Sequence, residues 1–134
     1  MEIFKIEKDI RLLTIKARSF PDTIKEAFDL LEKNVPYTDK RIFFGLSKPE
    51  GGKIVYRAAI TAEPEEEADQ YKLEEFTLKQ GIYLTEKINN WMNAPQQIGP
   101  VFEKLLQDSR LDLSSYCVEW YQGNDVLCMV KIKE

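Results

Sequence analysis

Apolar and polar positions alternate in seven stretches of this chain and recur at helical spacing in two others. "IRLLTIKARSF" puts Leu13, Ile15 and Ala17 on one side, which predicts a strand. Pro21 follows at a place that suits a first helical turn, and in "DTIKEAFDLLEKN" the residues Ile24, Ala27, Phe28 and Leu31 recur as on one helix face. Asn34 and Pro36 end that helix. "RIFFGLS" and "IVYRAAIT" read as two strands joined by the hairpin loop "KPEGGK". "AEPEEEADQ" has no apolar period and reads as a solvated acidic connector. "KLEEFTL" and "IYLTEKINNW" alternate as strands on either side of Gly81. "PQQIGPVFEKLLQD" then predicts a second helix burying Ile98, Phe102 and Leu105, with Gly99 and Pro100 in its first turns. "SYCVEWY" and "VLCMVKIK" form a final hairpin across "QGND".

The order strand, helix, strand, strand occurs twice. A shift of 74 positions lays Pro21 on Pro95, Ile24 on Ile98, Phe28 on Phe102 and Leu31 on Leu105. The same shift lays "RIFFGLS" over "SYCVEWY" without a gap. The expectation is one domain spanning 1–134, with one repeat over about 10–62, the connector over about 63–70 and a second repeat over about 71–134.

Strand alternation then gives the repeat a chemical content. Cys117, Glu119 and Tyr121 share one side of their strand, and Tyr116, Val118 and Trp120 the other. The shift matches Phe43 with Cys117, Gly45 with Glu119 and Ser47 with Tyr121. With Gly123-Asn124 as a two-residue turn, Cys128 falls opposite Glu119, and Tyr56 takes the corresponding place in the first copy. One surface therefore carries Phe43, Gly45, Tyr56, Cys117, Glu119, Tyr121 and Cys128. A glycine facing a carboxylate near a pseudo-two-fold axis leaves space, and aromatic walls around one acid make a pocket. Exposed glutamates outnumber buried ones, so the same spacing also fits a solvent-facing sheet. Two cysteines and two tyrosines on that side favour burial. Trp120 is expected to pack on the other side against the helices, while pattern alone does not orient Tyr83 or Trp91.

Composition narrows the chemistry. The 134 residues are 43% hydrophobic and 31% charged, with net charge −4 and a pI near 5.1. That is the composition of a globular domain, without the basic field or aromatic-interleaved basic clusters of a nucleic-acid or membrane binder. No apolar run approaches the roughly 20 residues of a membrane span. The charged start "MEIFKIEKDIR" does not suit a secretory signal, so a cytoplasmic location is expected. The chain has no histidine and no CxxC, which removes the usual zinc ligand sets, histidine-ligated haem and any histidine-dependent catalytic triad. Cys117 and Cys128 are expected as free thiols, and no cofactor or metal is expected.

Four segments in order, "FFGLS", "VYRAAI", "KQGIY" and "EWY", resemble the strand signatures of the GyrI-like small-molecule-binding domains, also described as bacterial transcription-activator effector-binding domains. The resemblance runs from about Ile10 to Ile132. It implies an α+β fold of tandem duplicated β-α-β-β modules with pseudo-two-fold symmetry, antiparallel sheets, helices outside and a central groove. The groove would take hydrophobic, often cationic compounds. The signature acid of the family maps onto Glu119, and its pocket aromatics onto Tyr121, Tyr56 and Tyr83. With Phe43, Gly45 and Trp91 these complete the candidate ligand-binding set. Relatives occur alone or fused to AraC-type or MerR-type DNA-binding domains. This chain is too short to add one, so no direct nucleic-acid binding is expected, and a separate regulator or protein partner is. Other relatives hydrolyse cyclopropane-containing alkylating compounds, or protect DNA gyrase. The alternatives are therefore a hydrolase using Glu119 as general base, and a protein-interaction or gyrase-protecting protein. "ARSFPD" lacks the glycine expected at the first strand-to-helix link, which affects one end of the groove.

Overall fold

A computed structural model describes residues 1–133 as eight strands and two α-helices. The elements are β1 (Glu2–Ile6), β2 (Ile10–Lys16), α1 (Ile24–Asn34), β3 (Phe43–Glu50), β4 (Lys53–Thr61), β5 (Glu74–Leu78), β6 (Gly81–Ile88), α2 (Ile98–Leu105), β7 (Cys117–Gln122) and β8 (Asp125–Lys131). All strands join one antiparallel sheet in the order β1-β6-β8-β7-β3-β4-β2-β5. The fold is α+β, as expected.

Connectivity forces this sheet to curl. β5 is at one edge and β6 is six places away, about 29 Å in a flat sheet at ~4.8 Å per strand. Yet only Lys79 and Gln80 join them, and three peptide steps reach at most about 11 Å. The edges must therefore approach each other, giving a curled half-barrel. Residues from all eight strands line its inner side, among them Ile6, Leu12, Phe44, Leu46, Ala59, Leu78, Tyr83, Val118 and Met129. The Asp9 carboxylate accepts the Gln80 N–H at 2.8 Å, joining the β1–β2 and β5–β6 turns where the edges converge.

Both helices lie on the other side of the sheet. Ala27 and Leu31 of α1 pack on Leu13, Tyr56, Ala58 and Ile60, and Phe102 and Leu105 of α2 pack on Leu84, Ile88, Val126 and Val130. Trp120 consequently does not meet the helices as expected. It packs inside the curl against Phe4 and Phe44, at ring-centroid distances of 5.5 and 5.6 Å. A half-barrel needs an apolar lining of its own, so the side away from the helices is as apolar as the side beneath them.

Several boundaries also differ from the pattern. β1 is an additional strand, paired with β6 and mostly exposed, in a segment whose charges mask its alternation. α1 begins at Ile24, after Pro21, because Ser19 and Thr23 first close a turn through reciprocal hydrogen bonds of 2.9 and 3.0 Å. β3 runs three residues and β4 one residue further into the first hairpin than expected, and Ala58, not Tyr56, lies opposite Gly45. The acidic connector is not merely solvated. Glu66 receives both terminal nitrogens of Arg41 at 2.8 and 2.6 Å and the Tyr71 hydroxyl at 2.5 Å. The Arg41 side chain is only 2% exposed, and a guanidinium so buried requires such partners. Among the described residues no helix is long and apolar enough to cross a membrane.

Candidate functional site

β3 and β7 are neighbours at the centre of the sheet, in the register Gly45↔Glu119 and Ser47↔Cys117. The residues that a 74-position shift relates, Gly45 and Glu119, are thus direct cross-strand partners. On the other side of β7, Cys128 faces Glu119, as the hairpin turn implies. α1 sits over the β2–β4 half and α2 over the β6–β8 half, leaving β3 and β7 uncovered between them. The result is a groove of about 970 Å³ with Glu119, Tyr121, Cys117, Phe43 and Tyr56 on its floor.

Glu119 is half-buried at the centre of this floor. The Tyr121 hydroxyl donates to its Oε1 at 2.5 Å and the Tyr56 hydroxyl donates to the same oxygen at 2.8 Å. Oε2 takes no donor among the described residues, and it is not sealed from the groove, since no fully buried side-chain oxygen lacks a partner there. No lysine or arginine among the described residues pairs with Glu119. Burial therefore pushes the Glu119 pKa up, opposed by the hydrogen bonds from Tyr121 and Tyr56. Burial, with the Glu119 charge added, also drives both tyrosine hydroxyls upward, so they remain donors.

The walls are aromatic. Phe28 of α1 meets the Tyr121 ring edge-on at 5.9 Å and the Tyr56 ring at 6.3 Å, and Phe20 stacks on Tyr56 at 6.0 Å. Trp91 lies 5.4 Å from the Tyr121 ring on the other side. Met92, Ile98, Phe102 and Leu106 continue the α2 wall. Both cysteines are free. Burial raises the Cys117 thiol to about 11 and the Cys128 thiol to about 12, so neither is a thiolate at neutral pH.

Of the seven candidates, Glu119, Tyr121, Tyr56, Phe43 and Trp91 line this groove. Gly45 lies beneath it, and the space it was expected to leave open is filled. A Cβ there would overlap the Tyr56 hydroxyl and the Glu119 carboxylate, so the glycine exists to let those two groups meet over its backbone. Tyr83 belongs elsewhere. It faces the inside of the curl and donates its hydroxyl to the Lys79 carbonyl at 2.7 Å. Even-numbered residues of β6 face α2 and odd-numbered ones face away, which puts Tyr83 on the wrong side of the sheet.

Trp91 reaches the groove because β6 has already ended at Ile88. Asn90 turns the chain in the left-handed conformation (φ 51°), and its N–H donates to Asp125 at 3.0 Å. The dipeptide Asn89-Asn90 was the sequence signal for that turn. Phe20 and Phe28 were missed as groove residues. Phe28 shares the helical period of buried Ala27 and Leu31, and Phe20 closes a stretch read as a strand, whereas β2 ends at Lys16 and Phe20 lies in the turn that follows.

No protein-family model matches the chain, and a sequence comparison with curated proteins gives no match. Solved structures do resemble it. An integron cassette protein from the mobile metagenome of Vibrio cholerae superposes with a TM-score of 0.67 at 14% identity, covering 98% of this chain and 95% of that one. The structure of SAV2435 bound to tetraphenylphosphonium superposes with a TM-score of 0.66 at 18% identity, covering 97% and 93%. The EcmrR C-terminal domain does so with a TM-score of 0.60 at 11% identity, covering 98% and 94%.

Proposed function

We propose, because the chain has the GyrI-like effector-binding fold, that its groove is a binding site for hydrophobic organic cations, with Glu119 as the counter-charge. The single observation that carries this reading is a half-buried carboxyl group in an aromatic groove, with one oxygen that takes no donor and no basic side chain paired to it among the described residues. An ionised carboxylate in such surroundings costs several kcal/mol unless compensated. A cation entering the groove supplies the missing charge at Oε2. It also meets the faces of Tyr121, Tyr56 and Trp91, at roughly 0.5–2 kcal/mol per cation–π contact. The tetraphenylphosphonium held by SAV2435 is a ligand of this class, which supports the choice of probe.

A hydrolase would use the same carboxylate as general base toward water. It would then need a separate acid or anion-stabilising group, and the two hydroxyls nearest the acid are already donating to it. Binding without turnover is the simpler use of the geometry. The test is calorimetric titration with tetraphenylphosphonium and with neutral triphenylphosphine oxide. The cation should bind more tightly and should be recovered unchanged. Equal affinity for the two compounds would contradict the reading.

A further inference from the structure

The two walls of the groove are chemically unlike. The α2 wall is uncharged, formed by Trp91, Ile98, Phe102 and Leu106. The α1 wall carries Asp22, Lys25 and Glu32. Lys25 is held by Asp29 of its own helix at 2.9 Å. Asp22 precedes the N-terminus of α1, where the helix dipole favours a negative charge whatever else is present. Glu32 has no such explanation. It sits in the last turn of α1, at the negative end of the dipole, and pairs with no cation among the described residues.

Its direction is fixed by the helix. Ile24, Phe28 and Glu32 follow at four-residue spacing and all line the groove. Phe28 touches the Tyr121 ring at 5.9 Å, and Glu32 lies one turn, about 6 Å of helix rise, beyond Phe28. Besides Asp22, one cavity thus holds two carboxylates at separate depths, Glu119 and Glu32, and neither forms a salt bridge among the described residues. The deeper one, Glu119, presents an oxygen without a donor, which independently marks the cavity as a site for positive charge. A volume near 970 Å³ lies at the upper end of the roughly 300–1,000 Å³ typical of ligand pockets, leaving room for a long molecule.

We infer that the preferred ligand is an elongated aromatic dication, with one charge over Glu119 and the second at Glu32. This deepens the cation reading above and rests on it. The uncharged α2 wall packs against the aromatic rings around the inner charge. The inner charge is desolvated and dominates affinity, whereas the outer one meets an exposed carboxylate and selects for length.

The experiment compares tetraphenylphosphonium with bis(triphenylphosphonium) compounds joined by alkyl linkers of increasing length, by calorimetry, in the wild type and in Glu32→Gln. At one range of linker lengths the dication should bind about 2- to 5-fold more tightly than the monocation, the size expected of an exposed ion pair, and added salt should erase that gain. Glu32→Gln should weaken that dication several-fold more than it weakens the monocation. A dication advantage absent at every linker length, or one that survives Glu32→Gln, would overturn the inference and leave the Glu119 reading intact. If the monocation failed to bind, or bound equally well to Glu119→Gln, the underlying cation reading would fall and this inference with it.

Discussion

Glu119 and Trp120 are adjacent residues of β7, and they face two opposite environments. Trp120 packs into the curl with Phe4 and Phe44, where each side chain fills space left by another. Glu119 faces a groove that the protein leaves unfilled. The tyrosines repeat the contrast. Tyr83 gives its hydroxyl to a backbone carbonyl at 2.7 Å and its ring to the core, so it needs nothing further. Tyr56 and Tyr121 aim their hydroxyls at one carboxyl oxygen and leave the other without a donor. One side of the sheet is packed full, and the other carries an aromatic groove. Stability should therefore reside mainly on the first side and recognition on the second.

The neighbours Phe43 and Phe44 test this division with the largest expected effect. Phe44 is fully buried inside the curl, so Phe44→Ala should destabilise the fold by about 3–5 kcal/mol in chemical denaturation. Phe43→Ala, on the groove wall, should cost well under half of that and should weaken tetraphenylphosphonium binding. Equal losses of stability would break the comparison.

Gly45 is where recognition depends on packing. Gly45→Ala should cost about 1–3 kcal/mol, because its Cβ would displace the Tyr56 hydroxyl or the Glu119 carboxylate. Cation affinity should fall alongside. A variant of unchanged stability would show that the floor has slack.

Glu119→Gln should lower tetraphenylphosphonium affinity by about 1–3 kcal/mol while affecting triphenylphosphine oxide much less. Free of ligand, the variant should be at least as stable as the wild type at neutral pH, since it removes a charge that burial disfavours.

The smallest expected effect is the pH dependence of stability. Burial raises the Glu119 pKa in the folded state, so the contribution of its protonated form is complete below the unfolded value of about 4.3 and is lost as pH rises through the folded pKa. Glu66 runs the other way. Its hydrogen bonds with Arg41 hold its pKa down to about 2, so its contribution is present above about 4.3 and is lost as pH falls toward the folded value. Melting temperature followed against pH should show both limbs. Glu119→Gln should flatten only the alkaline one, and Glu66→Gln only the acidic one.

Much of this division was legible in the chain because strand alternation is rigid. The final hairpin turn places Cys128 opposite Glu119, and the 74-position shift pairs Gly45 with Glu119. The GyrI-like signatures led to the fold that the structure has. What the pattern lacked was a sign for which side the helices cover. "RIFFGLS" is apolar on both sides, since Phe43 meets the groove and Phe44 the curl, and alternation alone does not rank them. Tyr83, which the pattern left without an orientation, joined the candidates through the family resemblance and lies inside the curl. Phe20 and Trp91 close two stretches that read as strands, but β2 ends at Lys16 and β6 at Ile88, so only tertiary structure carries the two residues to the groove. Arg41 and Glu66 are 25 residues apart and meet only because the segment before β3 and the connector converge.

The central claim, that Glu119 awaits a cation, is tested most directly by following the Glu119 carboxyl carbon by NMR during a pH titration, with and without tetraphenylphosphonium. The account predicts a pKa above the ordinary glutamate value of about 4.3 in the free protein, falling when the cation binds and unchanged by triphenylphosphine oxide. A free-protein pKa at or below about 4.3, or one that the bound cation does not move, would contradict it.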